Sequence, residues 1–322
     1  MGGATTRCAW RNASTTHMTH AIAVIDVGTN STNLLVLDAD GNDLARVVAS
    51  TRLGEGLHAS GTLSEAAIER TISVIESHVA IAHSHNVTNI SLVGTAACRR
   101  AANTQHFADL VRERTSLTLE ILSESDEATL TFTGALTGLP EVLAPNLVID
   151  IGGGSTEYTA GVIAAEQSAS IPFGAVTSTD SHIASDPPRP EDLTNLIGAV
   201  SDELEELGRT IPAFASPARV VGVAGTIVTI AAIELGLTAF DDAALHGFVL
   251  TRDAAEDVFR TMATETLAQR RQNPGLPSDR ADIIVAGCCI LVATMRRLHL
   301  DEIVVSTRSL LDGVAHRARL SS

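Results

Sequence analysis

The chain has 322 residues, 45% apolar and only 3% aromatic, enough for two ordinary domains with cores of Leu, Ile, Val and Ala rather than a chain disordered as a whole. Its formal net charge of -16 excludes a general nucleic-acid groove, which needs clustered Lys and Arg. A site for a polyanion must therefore be local, built from backbone N–H groups, a metal ion and a few arginines.

Residues 1–20 lack the apolar core of a secretion signal and read as a disordered leader. No transmembrane span is visible, so no membrane partner is expected. The four cysteines (Cys8, Cys98, Cys288 and Cys289) form no metal-binding spacing, which fits a reducing cytoplasm. Order begins near Ala21. AIAVIDVG predicts a strand running into a glycine turn, LLVLDADG a second strand, and ARVVAS a third, together a meander. Residues 64–82 predict a helix with Ser64 as N-cap and Leu63 and Ile68 as a hydrophobic staple. A strand at 89–95, a helix at 103–114, a strand at 117–122 and a helix at 126–136 follow.

The pattern then restarts. LVIDIGGGST at 147–156 is again an apolar strand, an Asp and a glycine turn, with YTAGVI as the next strand. The expectation is a pseudo-duplicated α/β architecture, with domains at 21–132 and 133–322 and a boundary near 132–146. Further along, helices are expected at 191–208, after the strand ARVVGVAG, at 251–270, at 281–298 and at 310–319, with a strand at 303–306 and a surface loop at 271–280.

Two constellations point to phosphate. In DVGTNST, Asp26 ends a buried strand over a glycine turn. Such a turn can form an anion nest, with Gly28 allowing close approach and Thr29, Asn30 and Ser31 offering donors. In DIGGGSTE, Gly152, Gly153 and Gly154 are entropically costly in sequence and make sense where the backbone must touch phosphate. Ser155 and Thr156 add hydroxyls there, and Glu157 adds a second carboxylate near Asp150. Asp26, Asp150 and Glu157 are the candidate metal ligands, for Mg2+ or Mn2+, because hard cations prefer oxygen.

Three further segments could contribute. VAGT brings Gly225 and Thr226 to the start of a helix, where free N–H groups could hold another phosphate. In SESDEATL, Asp126 is explained by a capping-box-like pairing with Ser123, which leaves Glu127 to orient and deprotonate a water. In GTAACRRAAN, Arg99 and Arg100 form a rare basic pair, either of which could clamp phosphate. No Ser-His-Asp set and no Gly-x-x-x-x-Gly-Lys loop is present.

These blocks together resemble the exopolyphosphatase and guanosine pentaphosphate phosphohydrolase family, a branch of the actin-like, ribonuclease H-like superfold, in its short two-domain form. DVGTNST, GTAACRRAAN, DIGGGSTE and VGVAGT occur in order, with weaker support from SDEATL and STRSLLDG. The resemblance implies a cleft enzyme that removes terminal phosphate with a divalent metal, Glu127 as base, Asp150 as metal ligand with Glu157 nearby, and Arg99 rather than Arg100 on phosphate. It also implies a last helix packed back on the first domain, and a homodimer from family habit.

Where many relatives carry Arg, this chain has Asn33 and Thr177, and Arg100 stands where Asp is common. The thinned positive charge favours a short polyphosphate over a long one. Guanosine pentaphosphate is the alternative substrate, and Arg52 or Arg189 could replace the missing cations. A kinase lacks a recognisable acceptor or adenosine site in this sequence. A non-catalytic phosphate- or nucleotide-binding regulator would fit the eroded basic positions.

Overall fold

The computed structural model describes residues 21–142, 144–211 and 217–320; the expected leader lies outside them. The first sheet is a meander of β1 (Ile22–Val27), β2 (Ser31–Leu37) and β3 (Asp43–Ser50), joined by β4 (Ile90–Gly94) and β5 (Leu119–Ile121) parallel to β1. Its order is β3-β2-β1-β4-β5. β1 is buried along its whole length, which fits the central place demanded by an apolar run broken only by Asp26.

Between β3 and β4 lie α1 (Leu57–Ser60) and α2 (Glu65–Ser84). The Ser64 side chain accepts from the Ala67 N–H at 3.2 Å and caps α2, which buries Ile68, Ile72 and Ile75 against the sheet. Short α3 (Ala96–Arg100) follows β4, then α4 (Thr104–Thr115) leads to β5 and α5 (Glu124–Ala135).

The second sheet contains β6 (Asn146–Ile151), β7 (Thr156–Gly161), β8 (Ala165–Ile171), β9 (Arg219–Val223), β10 (Val249–Thr251) and β11 (Glu302–Val305), in the order β10-β11-β9-β6-β7-β8. With edge strand β10 set aside, it repeats the first: an antiparallel meander, then two strands parallel to its first member. Order and strand sense define the ribonuclease H-like arrangement, present twice, as in the actin-like superfold.

The second half carries α6 (Ala175–His182), α7 (Pro190–Thr210), α8 (Ala224–Glu234), α9 (Asp242–Leu245), α10 (Arg252–Thr264), α11 (Leu267–Arg270), α12 (Ile284–Arg297) and α13 (Leu310–Leu320). α12 is buried from Ile284 to Met295, as its unbroken apolar sequence requires. The single helix expected over 251–270 is two: α10 stops at Thr264, and Thr266 caps α11 by accepting from the Gln269 N–H. No helix among the described residues is long and apolar enough to cross a membrane.

Two helices join the halves. Leu130 of α5 packs with Leu310, Leu311 and Val314 of α13 on Ile22, Val24 and Leu35 of the first sheet. Phe132 and Ala135, on the same α5, pack on Val148, Val221 and Val223 of the second. The last helix thus returns to the first sheet, and the C-terminal ends of β1 and β6 face each other.

Candidate active site

Equivalent hairpins build the site. Asp26 is paired by register with Asn33 across β1 and β2, and Asp150 with Glu157 across β6 and β7. Directly opposed residues project to the same face of a sheet. The turns match as well: the Gly28 N–H donates to the Ser31 carbonyl at 2.9 Å, and the Gly152 N–H to the Ser155 carbonyl at 3.0 Å.

The two loops lie against each other. A Cβ on Gly153 would meet Thr29 Cβ at 3.2 Å and the Asn30 N at 3.3 Å, and one on Gly154 would come within 2.9 Å of Thr29 Oγ1. From behind, a Cβ on Gly174 would stand 2.4 Å from the Gly153 carbonyl carbon. The three consecutive glycines thus answer to loop-on-loop packing as well as to backbone access. Asn30 is 7% exposed, and both its amide O and N are buried without a hydrogen-bond partner. Such atoms are costly unless something polar arrives to meet them.

The carboxylates converge. Burial raises the Asp26 pKa to about 7, with the Glu127 charge adding to the shift and the Asn33 amide opposing it. Asn33 Nδ2 donates to Asp26 Oδ2 at 3.2 Å, whereas Asp26 Oδ1 is buried without a partner. Burial likewise pushes up Asp150, reinforced by Glu127 and Asp26, and Glu157, reinforced by Asp150 and Glu127. Ser170 Oγ donates to Glu157 Oε1 at 3.1 Å.

Among the described residues no three His, Cys, Asp or Glu side chains form a ready metal cage. The donor set still fits Mg2+, which keeps several waters and takes one or two carboxylates plus substrate phosphates. The orphaned Asp26 oxygen and the mutually repelling acids are what such a cation would satisfy. Asp26, Asp150 and Glu157 are the carboxylates that could hold it.

Glu127 stands in the first turn of α5. The Ser123 Oγ caps that helix by accepting from the Asp126 N–H at 3.1 Å, so Asp126 is structural as its spacing predicts. Burial raises the Glu127 pKa, opposed by the Arg99 charge and hydrogen bond. Arg99 donates to Glu127 and, at 3.1 Å, to the Leu122 carbonyl. Both bonds leave from Nη1, so Arg99 orients Glu127 while Nε and Nη2 keep donors for the phosphate contact expected of it.

Other expectations change. Thr156 is fully buried and its hydroxyl donates to the Phe173 carbonyl at 2.6 Å, which commits it behind the loop. Arg52 is bidentate to Asp282, at 2.7 and 2.9 Å, and exposed Arg189 pairs with Asp192, so neither replaces the missing arginines.

The residue that sequence reasoning missed is Arg280, read as part of a surface loop. Its guanidinium lies over the N-terminus of α8, where a Cβ on Gly225 would meet it at 2.0 Å. It forms no ion pair among the described residues, and burial lowers its pKa. Gly225 thus makes room for a cation beside Thr226 rather than offering bare N–H groups alone. The only sequence signal was a Gly in a helix-starting turn, which does not name its neighbour.

Fold and site together define an actin-like α/β protein with two facing glycine loops and a buried carboxylate cluster under a helix-borne glutamate. The chain belongs to the Ppx/GppA phosphatase family, which it matches over residues 35–321, and its chemistry is that of a phosphatase. It is 32% identical over 314 residues to Exopolyphosphatase 2 of Mycobacterium tuberculosis, a match covering 91% of this chain and 97% of that one. An exopolyphosphatase from Cytophaga hutchinsonii superposes with a TM-score of 0.86 at 25% identity, over 94% of this chain and 98% of the other. The Aquifex aeolicus family member superposes with a TM-score of 0.78 at 28% identity, over the same shares.

Proposed function

We propose that this protein is a Mg2+-dependent exopolyphosphatase that releases terminal orthophosphate from short inorganic polyphosphates. The observation that carries the reading is Glu127, a carboxylate oriented by Arg99 and close enough to Asp26, Asp150 and Glu157 to raise the pKa of each. The exopolyphosphatases among its relatives support it.

In this reading the terminal phosphate lies between the Gly28 and Gly152 turns. Asn30 and the loop N–H groups donate to its oxygens, and Arg280 balances charge from the α8 side. Glu127 accepts a proton from a water as the water oxygen bonds to phosphorus and the bridging P–O bond breaks on the opposite side. The remaining chain leaves as a phosphate anion. Mg2+ held by Asp26 and Asp150 would supply charge neutralisation to the phosphate oxygens.

The test is Mg2+-dependent phosphate release from chains of graded length, with guanosine pentaphosphate assayed beside them. Release that is fastest from short polyphosphate supports the reading. Preference for the nucleotide would move the substrate to that alternative, and no release from any of these by folded protein would end both.

A further inference from the structure

A cavity of about 190 Å3 opens beside the two glycine loops, lined by Thr29, Leu57, His58, Arg100, Gly154 and Thr177 among others. Thr29 and Gly154 are shared with the candidate phosphate site, so the cavity continues that site. None of the four clustered carboxylates lines it. A larger cavity, of about 280 Å3, lies around Arg219, Leu298 and Glu302, whose residues have no part in the glycine loops.

The charges are uneven. Arg99 is neutralised by Glu127, and Arg52 by Asp282. Glu55, next to lining Gly54, is paired with Arg70. Asp180 lies one turn beyond Thr177, within electrostatic reach of Glu55, Asp282, Arg52 and His58. Arg100 differs from the other cations. Its side chain reaches from α3 across to the opposite loop, where Nη1 donates to the Gly154 carbonyl at 2.8 Å. It forms no ion pair among the described residues, although its charge reaches Glu127 and helps hold that carboxyl's pKa down. The Thr177 hydroxyl, 3.4 Å from the same carbonyl oxygen, stands on the facing wall.

We infer that this cavity is a second phosphate subsite, taking the phosphate bonded through the bridging oxygen to the one that is hydrolysed, with Arg100 as its specificity-determining cation. The inference rests on the function proposed above and deepens it. A planar guanidinium already anchored by one N–H keeps further donors for an anion. The subsite would select phosphoanhydrides of two or more phosphates over orthophosphate, whatever lies beyond the second phosphate.

Binding of tripolyphosphate and of orthophosphate, measured by calorimetry with Mg2+ present and Glu127→Gln in the background to prevent turnover, tests it. The expected result is tripolyphosphate binding at least tenfold tighter than orthophosphate. Arg100→Ala should abolish that preference without changing orthophosphate affinity, and Arg100→Lys should restore part of it. Arg100 is exposed, so these variants should fold, with circular dichroism as the check. Equal affinities for the two ligands before substitution, or a preference that survives Arg100→Ala, would overturn the subsite while leaving phosphate hydrolysis intact. Failure of both ligands to bind would overturn the subsite and the proposed function together.

Discussion

The Arg99 guanidinium donates a hydrogen bond to the Glu127 carboxylate, joining a short helix of the first half to α5, which carries the proposed base. Burial raises the Glu127 pKa, and Arg99 is the largest influence holding it down. A base works only when ionised, so activity falls as pH drops through that pKa. Arg99→Ala removes the opposing charge and should move the acid limb of kcat/KM to higher pH, while leaving the alkaline limb in place. Arg99→Lys, which keeps the charge, should move it less. A pH–rate profile with no displacement in Arg99→Ala would show that the pair does not tune the base.

Glu127→Gln keeps the size of the side chain and removes its basicity. Turnover should fall by about 100-fold or more, the usual contribution of a positioned base, with substrate affinity little changed. Separate measurement of kcat and of binding checks this. An equal loss in both would assign Glu127 to binding.

The acidic cluster should make the metal-free protein less stable at neutral pH than in mild acid. In the fold Asp150 holds its proton to higher pH than the usual 3.8. Between those two values the unfolded chain has lost the proton and the native one has not, so stability falls as pH rises. Above the folded value the full penalty is present, and below the unfolded value it is absent. Asp150→Asn cannot ionise. In metal-free buffer it should melt about 2–6 °C above wild type at pH 8 and level with it near pH 4. Mg2+ should raise the wild-type melting temperature and leave that of Asp150→Asn nearly unchanged. Parallel melting curves across pH would remove the basis for this prediction.

Helices α5 and α13 cross at two glycines. A Cβ on Gly134 would fall 1.8 Å from the Ser309 carbonyl oxygen, and one on Gly313 would fall 1.9 Å from that of Leu130. These obstacles are backbone, so a methyl group cannot be accommodated by a rotamer change. Gly134→Ala should cost about 3 kcal/mol or more in denaturant unfolding. Gly198→Ala, on α7 with open space around the added carbon, should be neutral or stabilising by up to about 1 kcal/mol. Similar effects of the two substitutions would contradict the crossing.

The parts of the fold that could be read in advance have local causes. β1 and β6 are apolar runs that each end around an Asp, α2 has its Ser64 cap and a clean helical stripe, and a glycine turn follows each strand directly. β8, by contrast, is AEQSASI, an exposed edge strand held by backbone pairing to β7 with little apolar alternation to reveal it. The break between α10 and α11 turns on a Thr266–Gln269 capping box inside a stretch that is helical by periodicity.

For the site, the sequence by itself determined the duplicated hairpins, the two glycine loops and the places of the carboxylates Asp26, Asp150, Glu157 and Glu127, because each sits at a fixed offset from a strand or helix end. Only the tertiary structure decided which side chains meet, within each half and, for Arg52 and Asp282, across them. Arg99 spends its charge on Glu127, Arg52 on Asp282, Thr156 turns inward to Phe173, Asn33 supports Asp26, and Arg280 fills the space that Gly225 leaves. Those pairings join residues from 7 to 230 positions apart, some through short side chains and some through long arginines. Which of them meet is set by how the elements pack, which no local pattern encodes.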